Sequence, residues 1–144
     1  MKKIYAIIFT SAFCLLTSYI ASAQYTKLYD FAIPPDGMSP TGALISDGTY
    51  LYGMTPHGGT SSSCVYNCGT IFKIKPDGTT YTKLYDFMGG LDGFYPFGSL
   101  VSDGSYLYGM TYYGGPNWFG TIFKIMPDGN NYSKLYDFAI PVSS

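Results

Sequence analysis

Seven residues occur three times in this chain almost unchanged. Tyr25–Phe31 reads YTKLYDF, Tyr81–Phe87 reads YTKLYDF again, and Tyr132–Phe138 reads YSKLYDF. Their starts lie 56 and 51 residues apart. Between them, Gly42–Thr55 (GALISDGTYLYGMT) matches Gly98–Thr111 (GSLVSDGSYLYGMT), and Gly69–Gly78 (GTIFKIKPDG) matches Gly120–Gly129 (GTIFKIMPDG). The five-residue difference in period falls between Gly59 and Gly69, where a loop is longer in the first copy. Such a period means that each copy is one supersecondary unit, stacked on its neighbours.

Each copy divides into four short strands. The first copy gives Ala43–Ser46, Tyr50–Thr55, Thr70–Lys75 and Tyr81–Phe87; the second gives Ser99–Ser102, Tyr106–Thr111, Thr121–Met126 and Tyr132–Phe138. Asp47-Gly48 and Pro76-Asp77-Gly78 mark tight turns, since glycine takes a positive φ cheaply. Tyr50-Leu51-Tyr52 and Ile71-Phe72-Lys73-Ile74 carry apolar side chains on both faces, as sheets covered on both sides do. Lys83 and Asp86 put charge on the fourth strand, which protects an outer edge from mispairing. After the first 23 residues no stretch has apolar residues at helical spacing over three turns. The expected class is therefore all-β: tandem four-stranded antiparallel blades of an incomplete β-propeller, close to the kelch period, with a β-solenoid or sandwich as the alternative.

The N-terminus is of another kind. Lys2 and Lys3 precede an apolar run from Ile4 to Ile20, followed by Ala21-Ser22-Ala23. A positive start, an apolar middle and small residues at the cleavage point describe a helical signal peptide over residues 1–23. The domains then run 24–87 for the first repeat with a leading outer strand, 88–138 for the second, and 139–144 for the start of a further one. The expected location is extracellular or at the cell surface, with the periplasm as alternative and no stable membrane span after cleavage.

From residue 24 onward, six lysines face nine aspartates, for a net charge of −3, and there is neither Arg nor Glu. Phosphate neutralisation needs a basic stripe, so nucleic acid is excluded as a partner. Abundant Tyr, Phe, Gly and Asp suit half-buried sheets and tight turns.

The order DG-x-x-P-x-G, DG-x-Y-L-Y-G-M-T, GG, GT-I-F-K-I-x-PDG and KLYDF resembles the bacterial GloVer tandem repeat, over Asp36–Phe87 and Asp92–Phe138. That repeat occurs in exported choice-of-anchor proteins. The resemblance implies an extracytoplasmic β-repeat protein with no catalytic residues to carry over. Two blades cannot close a ring, so the chain is expected either to be part of a longer array or to self-associate, with further repeats completing it.

Candidate chemistry is sparse. Cys64 and Cys68, as C-V-Y-N-C in the longer loop, are expected to form a disulfide after export; a metal would need two more ligands beside His57. His57, the one histidine, is replaced by Tyr113 in the second copy, and no nucleophile or orienting carboxylate accompanies it. Asp36, Asp47, Asp77, Asp92, Asp103 and Asp128 each precede Gly and are expected to cap turns, and calcium spacing is missing. No cofactor, no metal and no enzymatic activity are therefore expected.

In a four-stranded meander the connections alternate between ends. Tight turns gather at one end; the long connections Ala32–Gly42, Pro56–Gly69, Met88–Gly98 and Tyr112–Gly120 gather at the other. That second end collects His57, Tyr66, Phe94, Tyr95, Phe97, Tyr112, Tyr113, Trp118 and Phe119. Flat rings on loops suit sugar rings or protein hot spots, and they equally suit gaps between blades. The leading expectation is a non-enzymatic surface or secreted module contacting glycan or protein through these rings. The others are a spacer displaying another domain, and a propeller-scaffold glycan-active enzyme.

Overall fold

Alternating residues on short strands, punctuated by glycine turns, lead to two larger antiparallel sheets that share one core, beside a two-stranded one. The computed structural model describes residues 24–32 and 35–140. The expected signal peptide and residues 141–144 lie outside the described residues.

Eleven short strands and one 3-10 turn are formed: β1 Gly37–Met38, β2 Ile45–Ser46, β3 Leu51–Thr55, β4 His57–Gly58, β5 Thr70–Ile74, β6 Thr82–Asp86, the turn Gly90–Asp92, β7 Phe94–Pro96, β8 Val101–Ser102, β9 Leu107–Tyr113, β10 Thr121–Ile125 and β11 Ser133–Asp137. Sheet one has the order β2-β3-β5-β6; sheet two has β8 and β7 on one side of β9, then β10 and β11. The described residues are thus all-β and antiparallel. The two sheets do not close a ring among the described residues.

Most strands are one or two residues shorter than expected at their ends, where the turns begin. Two pairings fall inside stretches expected to be loops. Gly37 and Met38 pair with Gly58 and His57, and in the second copy Phe94 and Pro96 pair with Tyr113 and Thr111. Both copies also place a register shift at the same point, between Ile71 and Phe72 and between Ile122 and Phe123. Such bulges sharpen the local twist of an edge strand.

Register decides what each face carries. Met54 lies opposite Ile71, with Tyr52 on the same face two residues away; this face of sheet one is buried. It shares one core with Leu100, Leu107, Phe123 and Ile125 of sheet two, and Phe87 joins them. Gly109 lies opposite Phe123, and a Cβ there would come within 2.5 Å of the Phe123 ring. The glycine of YLYGMT is therefore the space into which the cross-strand phenylalanine folds, and Gly53 does the same for Phe72. Buried threonines satisfy one another: Thr55 and Thr70 meet at 2.8 Å, Thr111 and Thr121 at 2.9 Å.

The repeated KLYDF strand joins one copy to the next. Tyr85 stacks on Tyr132 with centroids 4.1 Å apart, and Phe87 meets Phe123 edge-on at 5.3 Å. One copy earlier, Tyr29 stacks on Tyr81 at 4.1 Å and Phe31 meets Phe72 at 5.1 Å. The segments leading into β2 and β8 also touch, as Ala43 N–H donates to Ser99 Oγ at 2.8 Å. The lysine and aspartate of the motif pair with each other at 2.6 to 2.8 Å in all three occurrences.

The tight turns behave as expected in four cases. Asp47 Oδ1 accepts from the N–H groups of Thr49 and Tyr50, Asp103 from Ser105 and Tyr106, Asp77 from Thr79, and Asp128 from Asn130. Asp92 accepts the backbone N–H of Met88 at 3.1 Å, on its N-terminal side, and Asp36 departs from the expected cap. Both accept the hydroxyl of a tyrosine seven residues earlier, Tyr29 for Asp36 and Tyr85 for Asp92.

Candidate functional site

The end opposite the tight turns is built from five segments. β4 carries His57, β7 carries Phe94 and Tyr95, and the end of β9 carries Tyr112 and Tyr113. The loop after β9 carries Trp118 and Phe119, and the long loop of the first copy carries Tyr66. Sheet pairing brings them together: Phe94 sits opposite Tyr113 across the β7–β9 ladder.

The rings form one continuous cluster across both copies. His57 lies 5.7 Å from Tyr66 and 4.9 Å from Tyr95 between ring centroids. Phe94 contacts Tyr95 at 5.0 Å, Tyr113 at 5.4 Å and Trp118 at 5.9 Å. Tyr112 stands edge-on to Tyr113 at 4.6 Å. Phe119 and Trp118 bound a trough of about 510 Å³ together with Phe97, Met110, Tyr112 and Phe138. Every ring that the sequence placed at this end is in the cluster or on the trough, and Tyr66, Tyr112, Trp118 and Phe119 are exposed.

A second recess, of about 400 Å³, opens between the copies. Ser39, Thr41 and His57 line it from the first copy, and Tyr95, Phe97 and Tyr113 from the second. Thr41 Oγ1 and His57 Nδ1 are both buried without a hydrogen-bond partner among the described residues. An unpaired buried polar atom costs about 1–3 kcal/mol, so two in one recess are a notable expense. Thr41 and Ser39 were not legible from sequence, because nothing in a polar loop marks which hydroxyl will be left without a partner.

Of six non-glycine residues with positive φ among the described residues, four lie at this end, and Thr80 and Asn131 lie beside the tight turns. Ser39, Asn67, Tyr95 and Trp118 all have positive φ, at 58°, 59°, 54° and 64°. Tyr95 occupies the position of Ser39, and Trp118 that of Asn67, one copy on. Asparagine tolerates this conformation, whereas bulky aromatic residues are disfavoured there. The backbone alone therefore does not call for a tyrosine and a tryptophan at these positions. Tyr95 is held by its N–H, which donates to the Cys68 carbonyl at 2.9 Å.

Cys64 and Cys68 are joined by a disulfide, and Asn67 between them donates from Nδ2 to the Gly59 carbonyl at 2.8 Å. The clip fixes the loop that carries Tyr66. Among the described residues no group of three His, Cys, Asp or Glu side chains is placed to hold a metal ion, and no helix is long and apolar enough to cross a membrane.

Comparison with known proteins adds a family. The model of the Gloeobacter/Verrucomicrobia repeat matches residues 14–143, nearly the whole chain. The chain belongs to this family. No match was found among curated proteins or among solved structures. As a Gloeobacter/Verrucomicrobia repeat, the chain carries its aromatic end on a scaffold whose glycine turns and KLYDF strands recur copy by copy. The cystine clip and the Tyr95-for-Ser39, Tyr113-for-His57 and Trp118-for-Asn67 exchanges are among the differences between the copies at this end.

Proposed function

We propose that this Gloeobacter/Verrucomicrobia repeat chain is a non-enzymatic binding module, exported to the cell surface or medium, whose aromatic end contacts a glycan. Its two sheets are read as kelch-like blades of a propeller array completed by further repeats or by self-association, of the kind carried by choice-of-anchor proteins. The observation that carries the binding reading is the recess between copies, where Tyr95, Tyr113 and Phe97 stand beside the unpaired Thr41 Oγ1 and His57 Nδ1. Sugars are recognised by this pairing of flat apolar rings with a few convergent polar groups. A protein hot spot would use the same exposed rings, with Trp118 and Tyr112 as anchors.

The spacer reading has its own support, since Phe94, Tyr95 and Tyr113 spend much of their surface on one another and on His57. Glycan-array screening of the purified chain separates the two. The binding reading expects a retained glycan whose affinity drops about tenfold or more in His57→Ala and in Tyr113→Ala, a loss of about 1.4 kcal/mol or more, with thermal unfolding little changed. Failure to retain any glycan, with Trp118→Ala and Tyr112→Ala leaving protein capture unaffected, leaves the spacer.

A further inference from the structure

The contact between the two copies is written once in full and twice by halves. Several residues that one copy buries against the other have counterparts at the far end of the pair that are left open, whereas Phe72 and Ile74, the counterparts of Phe123 and Ile125, are already covered. Met54 is 2% exposed where sheet two covers it, while its counterpart Met110 is 50% exposed. Phe87 is 0% exposed and Phe138 is 37%. Tyr52 and Ile71 are buried, and Tyr108 and Ile122 are only partly so. On the receiving side, Leu100 is 1% exposed and its counterpart Leu44 is 48%. Pro96 is fully buried against Gly69, and its counterpart Pro40 is exposed.

These open halves are complementary, because sheet two offers the donating face and sheet one the receiving face. The trough beside Trp118 and Phe119 lies where the first copy has Asn67 and Cys68. In the first copy that position is covered by Tyr95 and Pro96, with the Tyr95 N–H on the Cys68 carbonyl. The segment in register with Phe94-Tyr95-Pro96 is Met38-Ser39-Pro40, at the receiving end.

The receiving face is held in readiness by a segment that has no sheet of its own. Tyr25–Phe31 has the same sequence as Tyr81–Phe87, yet only the latter includes a strand, β6. The leading segment is placed by its side chains, with Tyr29 on Tyr81 and Phe31 on Phe72. Tyr136 and Phe138 are the same residues in the last motif and can take that seat in exchange, since the leading segment gives up no ladder hydrogen bonds on leaving it.

We infer that this chain associates head to tail with a second copy of itself. The face bearing Tyr108, Met110 and Ile122 seats on the face of the second copy bearing Leu44 and Leu51, with Tyr136 and Phe138 taking the seat of that copy's leading segment over Phe72. Met38-Ser39-Pro40 of that copy enters the trough beside Trp118. The association continues the interface already present between sheets one and two. Being heterologous, it leads to a ring if the rotation closes and to an open filament if it does not.

Two substitutions at half-exposed positions test it without opening the core. Met110→Lys blocks the donating face and Leu44→Lys the receiving face, and circular dichroism confirms that each variant is folded. Sedimentation velocity of the wild-type chain over a range of concentrations is expected to show species growing by whole chain masses. Each variant alone is expected to be monomeric, its association weakened about a hundredfold or more by an unpaired charge in an apolar contact. Their equimolar mixture is expected to form a dimer and nothing larger, since one good face remains on each chain. A wild-type chain that stays monomeric at its solubility limit overturns the inference. So do variants that associate like wild type, or a mixture that remains monomeric while the wild type assembles.

Discussion

Tyr85 lies flat on Tyr132, with centroids 4.1 Å apart and planes 8° from parallel. The Tyr85 hydroxyl also donates to Asp92 Oδ1 at 2.8 Å, and the Tyr132 hydroxyl donates to the Asp92 carbonyl at 2.8 Å. One aspartate thus anchors the tyrosines of two successive copies. The arrangement makes the KLYDF motif a coupling device between repeats as well as a fourth strand.

Phe87 and Phe138 occupy the same motif position with different surroundings, so truncation separates packing from sequence. Phe87→Ala is expected to cost about 3–5 kcal/mol, the usual loss for a buried phenylalanine. Phe138→Ala is expected to cost less than about 1 kcal/mol, as for a side chain with an open face. Urea denaturation of both variants, below any concentration at which chains associate, measures the difference. Equal losses would show that the inter-copy contact does not stabilise the pair.

Gly109→Ala removes backbone freedom from the unfolded chain and adds strand propensity, both stabilising in isolation. Here the new methyl group would sit 2.5 Å from the Phe123 ring and 3.0 Å from Leu100, both fully packed. A loss of about 1–3 kcal/mol is expected. A melting temperature at or above wild type contradicts this account of the glycine.

Alkaline pH is expected to unfold the protein through its tyrosines. Burial, followed by the Asp92 and neighbouring charges, raises the Tyr132 phenol above its ordinary value of 10.0; burial, then the hydrogen bond to Asp92, does the same for Tyr85. Tyr81 is pushed up to about 12, mainly by burial. A raised phenol keeps its proton when folded and loses it sooner when unfolded, so its stabilisation is complete below pH 10.0 and drains away above it. The melting temperature should hold up to that point and then fall, and Tyr132→Phe should shallow the fall. At the acid end the order reverses. Asp103 is drawn down to about 2, first by the Tyr108 hydroxyl and then by the N–H groups of Tyr106 and Ser105. Its contribution is present above the ordinary 3.8 and disappears as pH drops toward 2. A melting temperature that declines steadily from neutral pH in both directions would contradict this picture.

Removing the Cys64–Cys68 bridge should act locally. Closing so short a loop contributes about 2 kcal/mol in the chain-entropy account. The Cys64→Ser/Cys68→Ser chain should remain folded, with faster amide exchange at Asn67 and Gly69 and unchanged exchange in β9 and β10. Loss of protection in sheet two would mean that the clip supports the whole pair.

Much of the scaffold was legible because it is local. Asp47-Gly48, Asp103-Gly104 and the two Pro-Asp-Gly turns announce themselves by residue type, and the strands between them alternate as pleated chains must. The aromatic end was legible too, since meander connectivity alone assigns loops to ends. The short β1–β4 pairing was not, because a two-residue strand has no period to read. Nor was the role of Asp36 and Asp92, which look like turn caps but accept the hydroxyl of a tyrosine seven residues earlier. Gly53 and Gly109 gave no hint of the ring that fills their space, because cross-strand register is set by pairing rather than by composition.

Two stretches mark the boundary most sharply. The repeat, the turns and the four-strand units follow from the chain alone, because each depends on neighbours a few residues away. YLYGMT occurs twice, and only tertiary packing buries its first occurrence while leaving Met110 of the second half open. YTKLYDF also occurs twice, forming β6 in one place and no strand in the other. Burial and strand pairing belong to the surface that another segment covers, and identical residues acquire different environments when only one of them has a neighbouring sheet.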